Sequence, residues 1–288
     1  MGALERIQGG GVPESAEQRL AALRAWGGST SFLSAGALAA GEELGLEPIG
    51  QLVGASSCLR LLGVVRTTRP GQGRSGVGRA RWLERSGPVR SWTEVRRRAA
   101  ERLTAQAAAL GADAVIGVRA RRREREGAVQ TVELVLTGTA VRLRERRERP
   151  VLTLAGAQEL VLLARMGLEP AGIAGAYARV ETWAGSGDVE AMRRPWQSAN
   201  VELRDLTEGV YEARRLAVRR LEAEARELGA TGVLGVDMRD EDGDRGMWPA
   251  LRVTIHVLAS AVRRRGGGER RVAAAPVLDR RAGAGRRG

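Results

Sequence analysis

The spacing of apolar positions changes period several times along the chain, and the whole series of changes occurs twice. One helical stretch, Ser34 to Leu44, ends at Gly45-Leu46-Glu47-Pro48; another, Gly156 to Met166, ends at Gly167-Leu168-Glu169-Pro170. Gly takes the left-handed position after a last helical turn, the next Leu packs back on the helix, and Pro blocks continuation. Small and β-branched residues follow, Ile49 to Cys58 and Ala171 to Val180. Bounded by breakers, they predict strands. A polar, Gly-rich stretch with a Trp comes next in each copy, at Trp82 and at Trp196.

Long amphipathic helices are then expected. Val95, Ala99, Leu103, Ala107 and Leu110 share one face of a helix from about Thr93 to Leu110, and Val210, Ala213, Ala217, Leu221 and Leu228 share one of a helix from about Thr207 to Leu228. Thr93-Glu94 and Thr207-Glu208 read as a Thr cap with an acid in the first turn. Both helices stop at Leu-Gly-Ala, at Leu110 to Ala112 and at Leu228 to Ala230, and lead into strands Val115 to Val118 and Val233 to Val236. Charged turns are expected at Arg121 to Gly127 and Asp240 to Gly246, before last strands Val129 to Leu143 and Leu251 to Val262. There Val132, Leu134 and Leu136, and Val253, Ile255 and Val257, alternate with polar residues, as half-buried strands do.

Helix, strand, helix, strand, strand thus occurs twice at a spacing of about 120 residues. The fold class is α+β, in two tandem two-layer units, each a long helix on a small antiparallel sheet. The expected organisation is a flexible leader over 1–30 with a helical pattern from Ala16 to Trp26, a first repeat over 31–146, a linker over 147–151, a second repeat over 152–265 and a basic tail over 266–288. The tail buries too little to offset its ordering entropy and is expected to be disordered.

Composition changes this picture little. A net charge of +13 invites an anionic partner. Every basic residue is Arg and none is Lys, however, which looks like coding bias, and Arg263 to Gly288 alone carries nine Arg against two acids. One cysteine, Cys58, allows no disulfide within the chain and no Cys-based metal cage. With no secretory signal and no apolar window of membrane-spanning length, a cytoplasmic protein is expected.

Candidate chemistry is sparse. The single His, His256, has Val135 as its counterpart in copy one, so no His-based triad is repeated. No nucleophile–base pair stands out, and an enzyme is not expected. Asp237, Asp242 and Asp244 lie in an acidic run that could hold a hard cation through oxygen ligands. Asp242-Gly243 is equally a turn signal, and the matching turn in copy one, from Arg121 to Arg125, is Arg-rich. Gly71-Gln72-Gly73-Arg74-Ser75-Gly76 lacks the Gly-Lys-Ser/Thr of a phosphate loop and reads as a plain loop. Arg96-Arg97-Arg98 and Arg121-Arg122-Arg123 could bind phosphates, but the first, within an amphipathic helix, reads as its solvated face, and few aromatics accompany either run.

Copy two carries Asn200-Val201-Glu202-Leu203, Thr207, Tyr211, Ala213-Arg214 and Leu228-Gly229-Ala230-Thr231-Gly232-Val233-Leu234-Gly235-Val236. Copy one carries Leu110-Gly111-Ala112-Asp113-Ala114-Val115-Ile116-Gly117-Val118 and Gly138-Thr139-Ala140-Val141. These strings resemble the YbjQ-like family, which bears a heavy-metal-binding label, in two tandem copies; the Gly-Leu-Glu-Pro entry is similar to that of tandem actinobacterial members. The resemblance implies dodecin-like α+β subunits that assemble into rings, pentameric for single-domain members. It implies no activity. It adds Asp113 to Asp237, Asp242, Asp244 and His256 as candidate metal ligands, although copy two has Thr231 at the position of Asp113 and Ala259-Ser260 at that of Gly138-Thr139. The favoured expectation is a non-enzymatic assembly protein forming a ring-like homo-oligomer. A protein binding a divalent metal is the alternative, and an Arg-mediated binder of nucleic acid or another anionic surface the third reading.

Overall fold

The computed structural model describes residues 11–59, 82–125, 131–193, 201–242 and 250–265. The first copy holds α1 (Glu14–Trp26), α2 (Ala35–Gly41) with a 3-10 turn (Glu42–Leu44), β1 (Glu47–Leu59), β2 (Trp82–Glu84), α3 (Ser86–Ala109), β3 (Ala114–Arg125) and β4 (Thr131–Arg142). The second holds β5 (Val151–Leu152), α4 (Ala157–Arg165), β6 (Leu168–Trp183), α5 (Ser186–Arg193), α6 (Arg204–Glu227), β7 (Gly232–Asp242) and β8 (Ala250–Arg264).

Helices and sheets are thus mixed, as α+β requires. One sheet has the order β1-β4-β3-β5 and the other β2-β6-β8-β7. All pairs are antiparallel except β3 with β5. The repeat extends to irregularities. Gly111 and Gly229 adopt φ of 66° and 67° after the long helices, and Gly117 and Gly235, at φ 59° and 60°, let the register slip between Ile116 and Arg119 and between Leu234 and Asp237. A residue with a Cβ is strained at such φ, so Gly is favoured at both bulges.

Each long helix lies on its own sheet. Val95, Ala99, Leu103 and Ala107 of α3 meet Leu52, Val115, Leu134 and Leu136, while Ala213, Ala217 and Leu221 of α6 meet Ala174, Ala176, Val253, Ile255 and Val257. Leu20 of α1 is buried in the first core, so the leader helix is docked there. A third cluster, with Ile116 and Val141 from copy one and Leu160, Leu163 and Val262 from copy two, joins the copies.

Several boundaries differ from the expected ones. α3 starts at Ser86 and α6 at Arg204, so Thr93 and Thr207 lie inside their helices; Arg85 and Leu203 are the N-cap residues, without side-chain caps. Thr93 instead donates its hydroxyl to Val89 O. Pro88 sits in the first turn of α3, where a missing N–H costs nothing. The Arg-rich stretch expected as a turn is strand: β3 pairs with β4 as far as Arg125 with Thr131, alternately exposing its arginines. β7 likewise runs to Asp242. Trp82 is in β2, and α5 occupies the polar stretch before Trp196. Trp196, the Gly71–Gly76 loop, Gly243 to Gly246 and the tail over 266–288 lie outside the described residues.

Candidate functional site: the seam between the copies

Two short strands cross from one copy to the other. β2, in the sequence of copy one, pairs with the outer edge of β6: Trp82 with Thr182, Leu83 with Glu181 and Glu84 with Val180. Arg85 N then donates to Arg179 O at 2.9 Å. β5, at the start of copy two, pairs with β3 at Ala114 and Val115. The same segment reaches copy two, where Leu154 N donates to Ser260 Oγ and the hydroxyls of Thr153 and Ser260 lie 3.0 Å apart. Each copy therefore completes the sheet of the other.

The seam is lined by aromatic and charged side chains. Tyr177, on the face of β6 turned away from α6, stacks on Trp92 of α3 with centroids 5.8 Å apart, and its ring meets His256 edge-on at 4.6 Å. The Arg96 guanidinium sits 5.3 Å from the Trp92 ring and 2.5 Å from Glu224 Oε1. Arg85 binds Glu181, Arg179 reaches Glu124 and Arg220 binds Glu84. At the other end Glu169 accepts from both Arg147 and Arg263. Burial works to raise the Glu169 carboxyl, but the hydrogen bond from Arg263 and the charge of Arg147 outweigh it and hold the pKa below the usual value. Arg96, in a run that reads as solvated from sequence, is thus spent on holding the copies together.

A cavity of about 310 Å³ opens at this seam, lined by Trp92, Ala120, Arg121, Arg122, Leu134, Asp237, Arg239, His256 and Leu258. His256 is buried, with Arg122 Nη1 3.3 Å from its Nδ1. An arginine can only donate, so Nδ1 accepts and the ring is neutral. Burial, and then the charges of Arg122 and Arg239, push the His256 pKa down to about 2. A second cavity, of about 220 Å³, lies over the third cluster between Leu44, Leu143, Val151, Leu160 and Pro170.

The candidate metal ligands are scattered. Asp237 and His256 line the same cavity, but Asp237 is ion-paired with Arg239 at 3.0 Å. Asp242 ends β7, and Asp244 lies outside the described residues. Asp113 is buried at the start of β3, where its carboxylate accepts from Leu143 N and Arg147 N, both at 2.9 Å, and lies 3.3 Å from Arg146. That arrangement fixes a chain turn. Among the described residues no three His, Cys, Asp or Glu side chains gather as a metal site would need. Cys58 is half-buried against Ser91 O at 3.5 Å, and burial raises its pKa. No described helix is long and apolar enough to cross a membrane.

What sequence reasoning missed is the seam itself, with Trp92, Tyr177, Arg96 and Glu224. One signal was present. The run Ala174-Gly175-Ala176-Tyr177-Ala178-Arg179-Val180 is not an apolar–polar alternation, and all seven residues are buried. A strand covered on both faces reads that way.

Comparison with known proteins agrees with the internal repeat. The family model described as "Putative heavy-metal-binding" (YbjQ) matches residues 78–144 and 197–263. The first match spans β2 to β4 and the second begins ahead of α6 and ends in β8. An encapsulin nanocompartment protein of Mycobacterium tuberculosis is 30% identical over 250 residues, covering 83% of this chain and 87% of that protein. No solved structure matches the chain. With both copies matched in register and a relative aligned over most of its length, this chain belongs to the YbjQ-like family, as a tandem pair of its domains.

Proposed function

We propose that this protein is a non-enzymatic, cytoplasmic assembly protein. Its repeats act as dodecin-like units that self-associate into a ring-like oligomer and serve a protein nanocompartment. The observation that carries the reading is the pairing of β2 with β6. A repeat of this kind takes an edge strand from its neighbour, and a surface built that way is made for association. The relative named as a nanocompartment protein supports the setting. Seam residues that would be candidates for chemistry are instead engaged in packing and ion pairs. Asp113 and Asp237 are held by amides or arginine, which favours assembly over the metal-binding reading.

Sedimentation of the tag-free chain tests this. The reading expects species at multiples of 30.8 kDa at micromolar concentration. A single species of that mass at every concentration reached would contradict it.

A further inference from the structure

The contacts joining the copies within a chain have matching halves that take no strand among the described residues. Leu203 occupies, ahead of α6, the position that Arg85 occupies ahead of α3, with φ −86° and ψ 90° against −90° and 99°. Val201 and Glu202 therefore match Leu83 and Glu84 of β2. Yet Val201 is 52% exposed, and residues 201–203 join no strand among those described. The edge they would fit is that of β1, which pairs only with β4 among the described residues. Counting from the shared Gly-Leu-Glu-Pro, Ser57 and Leu59 match Arg179 and Glu181, the partners of β2 and Arg85. Val53, Ala55, Ser57 and Leu59 are exposed, whereas Gly175, Tyr177 and Arg179 are buried under copy one and Glu181 is half-buried.

The other strand exchange is unfinished in the same way. β5 covers the edge of β3, and Ile116 and Val118 are 1% and 3% exposed. Their counterparts on β7, Leu234 and Val236, are 45% and 48% exposed, and β7 pairs only with β8 among the described residues. The counterpart of the crossing segment is already in place: Phe32 N donates to Thr139 Oγ1, as Leu154 N does to Ser260 Oγ.

We infer that a second copy of this chain is the partner of these surfaces: copy two of one chain docks head to tail on copy one of the next. Residues 201–203 add to the β1 edge of the next chain, and that chain's residues around Thr30 add to the β7 edge, repeating the step from copy one to copy two. This deepens, and rests on, the self-association proposed above. A heterologous step of this kind closes into a ring or runs on as a filament according to its rotation. Since each chain contributes two repeats, a closed ring holds an even number of them.

Two perturbations and a cross-link test it. Val201→Pro removes the amide that would bond to the β1 edge, at a position outside any helix or strand. Leu234→Asp places a charge on the β7 edge. Both should leave the circular dichroism spectrum unchanged and reduce the assembly to 30.8 kDa. In a Cys58→Ser background, one chain carrying Val201→Cys and another carrying Leu59→Cys should form a mixed disulfide when combined under mild oxidation. If the wild type associates while both variants keep its mass and no mixed disulfide forms, the head-to-tail interface is wrong and self-association stands. If the wild type is 30.8 kDa at all concentrations, both fall together.

Discussion

Acidification should weaken the fold through one residue. His256 is the single histidine of the chain, so nothing else among its side chains has an ordinary pKa near 6.5. In the fold it is buried between β8, Trp92 and Tyr177. Arg122 and Arg239 bear on it, and its pKa lies at about 2. The unfolded chain therefore binds a proton that the folded chain refuses, and stability is lost as pH falls below about 6.5. At pH 5 the unfolded imidazole is almost fully protonated and the folded one neutral, a loss of about 2 kcal/mol relative to pH 8. The loss should keep growing by about 1.4 kcal/mol per unit until carboxylates join in. Urea unfolding at a series of pH values measures it, with His256→Gln as the reference that lacks the slope. The imidazole resonances give the folded pKa directly, with no overlap from other histidines. Titration of the folded imidazole near 6.5, or equal slopes in wild type and variant, would refute the buried, arginine-flanked placement.

Other perturbations test separate parts of the structure. A Cβ at Gly54 would lie 2.2 Å from Ala99 O and 2.9 Å from Leu103 Cβ, so Gly54→Ala should push α3 off β1 and cost about 1–3 kcal/mol in urea unfolding; an unchanged midpoint would mean the helix sits farther away. Asp113→Ala strips the amides of Leu143 and Arg147 of their acceptor and should cost about 1–3 kcal/mol. Titration calorimetry should show Asp113→Ala binding zinc no differently from wild type, and a selective loss would make Asp113 a ligand after all. Trp92→Ala empties the middle of the seam and should cost about 3–5 kcal/mol, read as a fall in the thermal midpoint.

The repeat was legible because its signals are local. The Gly stops after the long helices, the alternation of Val132, Leu134 and Leu136, and the apolar stripe of α3 each need only neighbouring residues to be read. What stayed hidden depends on distant partners. β2 and β5 span three and two residues, too short for any period, and each becomes a strand only because a remote edge accepts it. The same holds for the site. Arg96 lies in a run of three arginines that looks solvent-facing, and only the packing of α3 against β6 turns it toward Trp92 and Glu224. His256 lies on the face of β8 opposite Val253 and Ile255, and what covers that face is copy one, which no pattern within copy two reveals.

The strand exchange at the seam underlies the whole account, and a cross-strand disulfide tests it most directly. Leu83 lies opposite Glu181 in the β2–β6 register. Opposed Cα atoms at such a pair lie within disulfide reach. With Cys58→Ser removing the native thiol, Leu83→Cys and Glu181→Cys in one chain should oxidise quantitatively within that chain, leaving its mass unchanged under denaturing conditions and raising its thermal midpoint. Failure to form that bond in the folded protein would contradict the account, because β2 would then lie somewhere other than on β6.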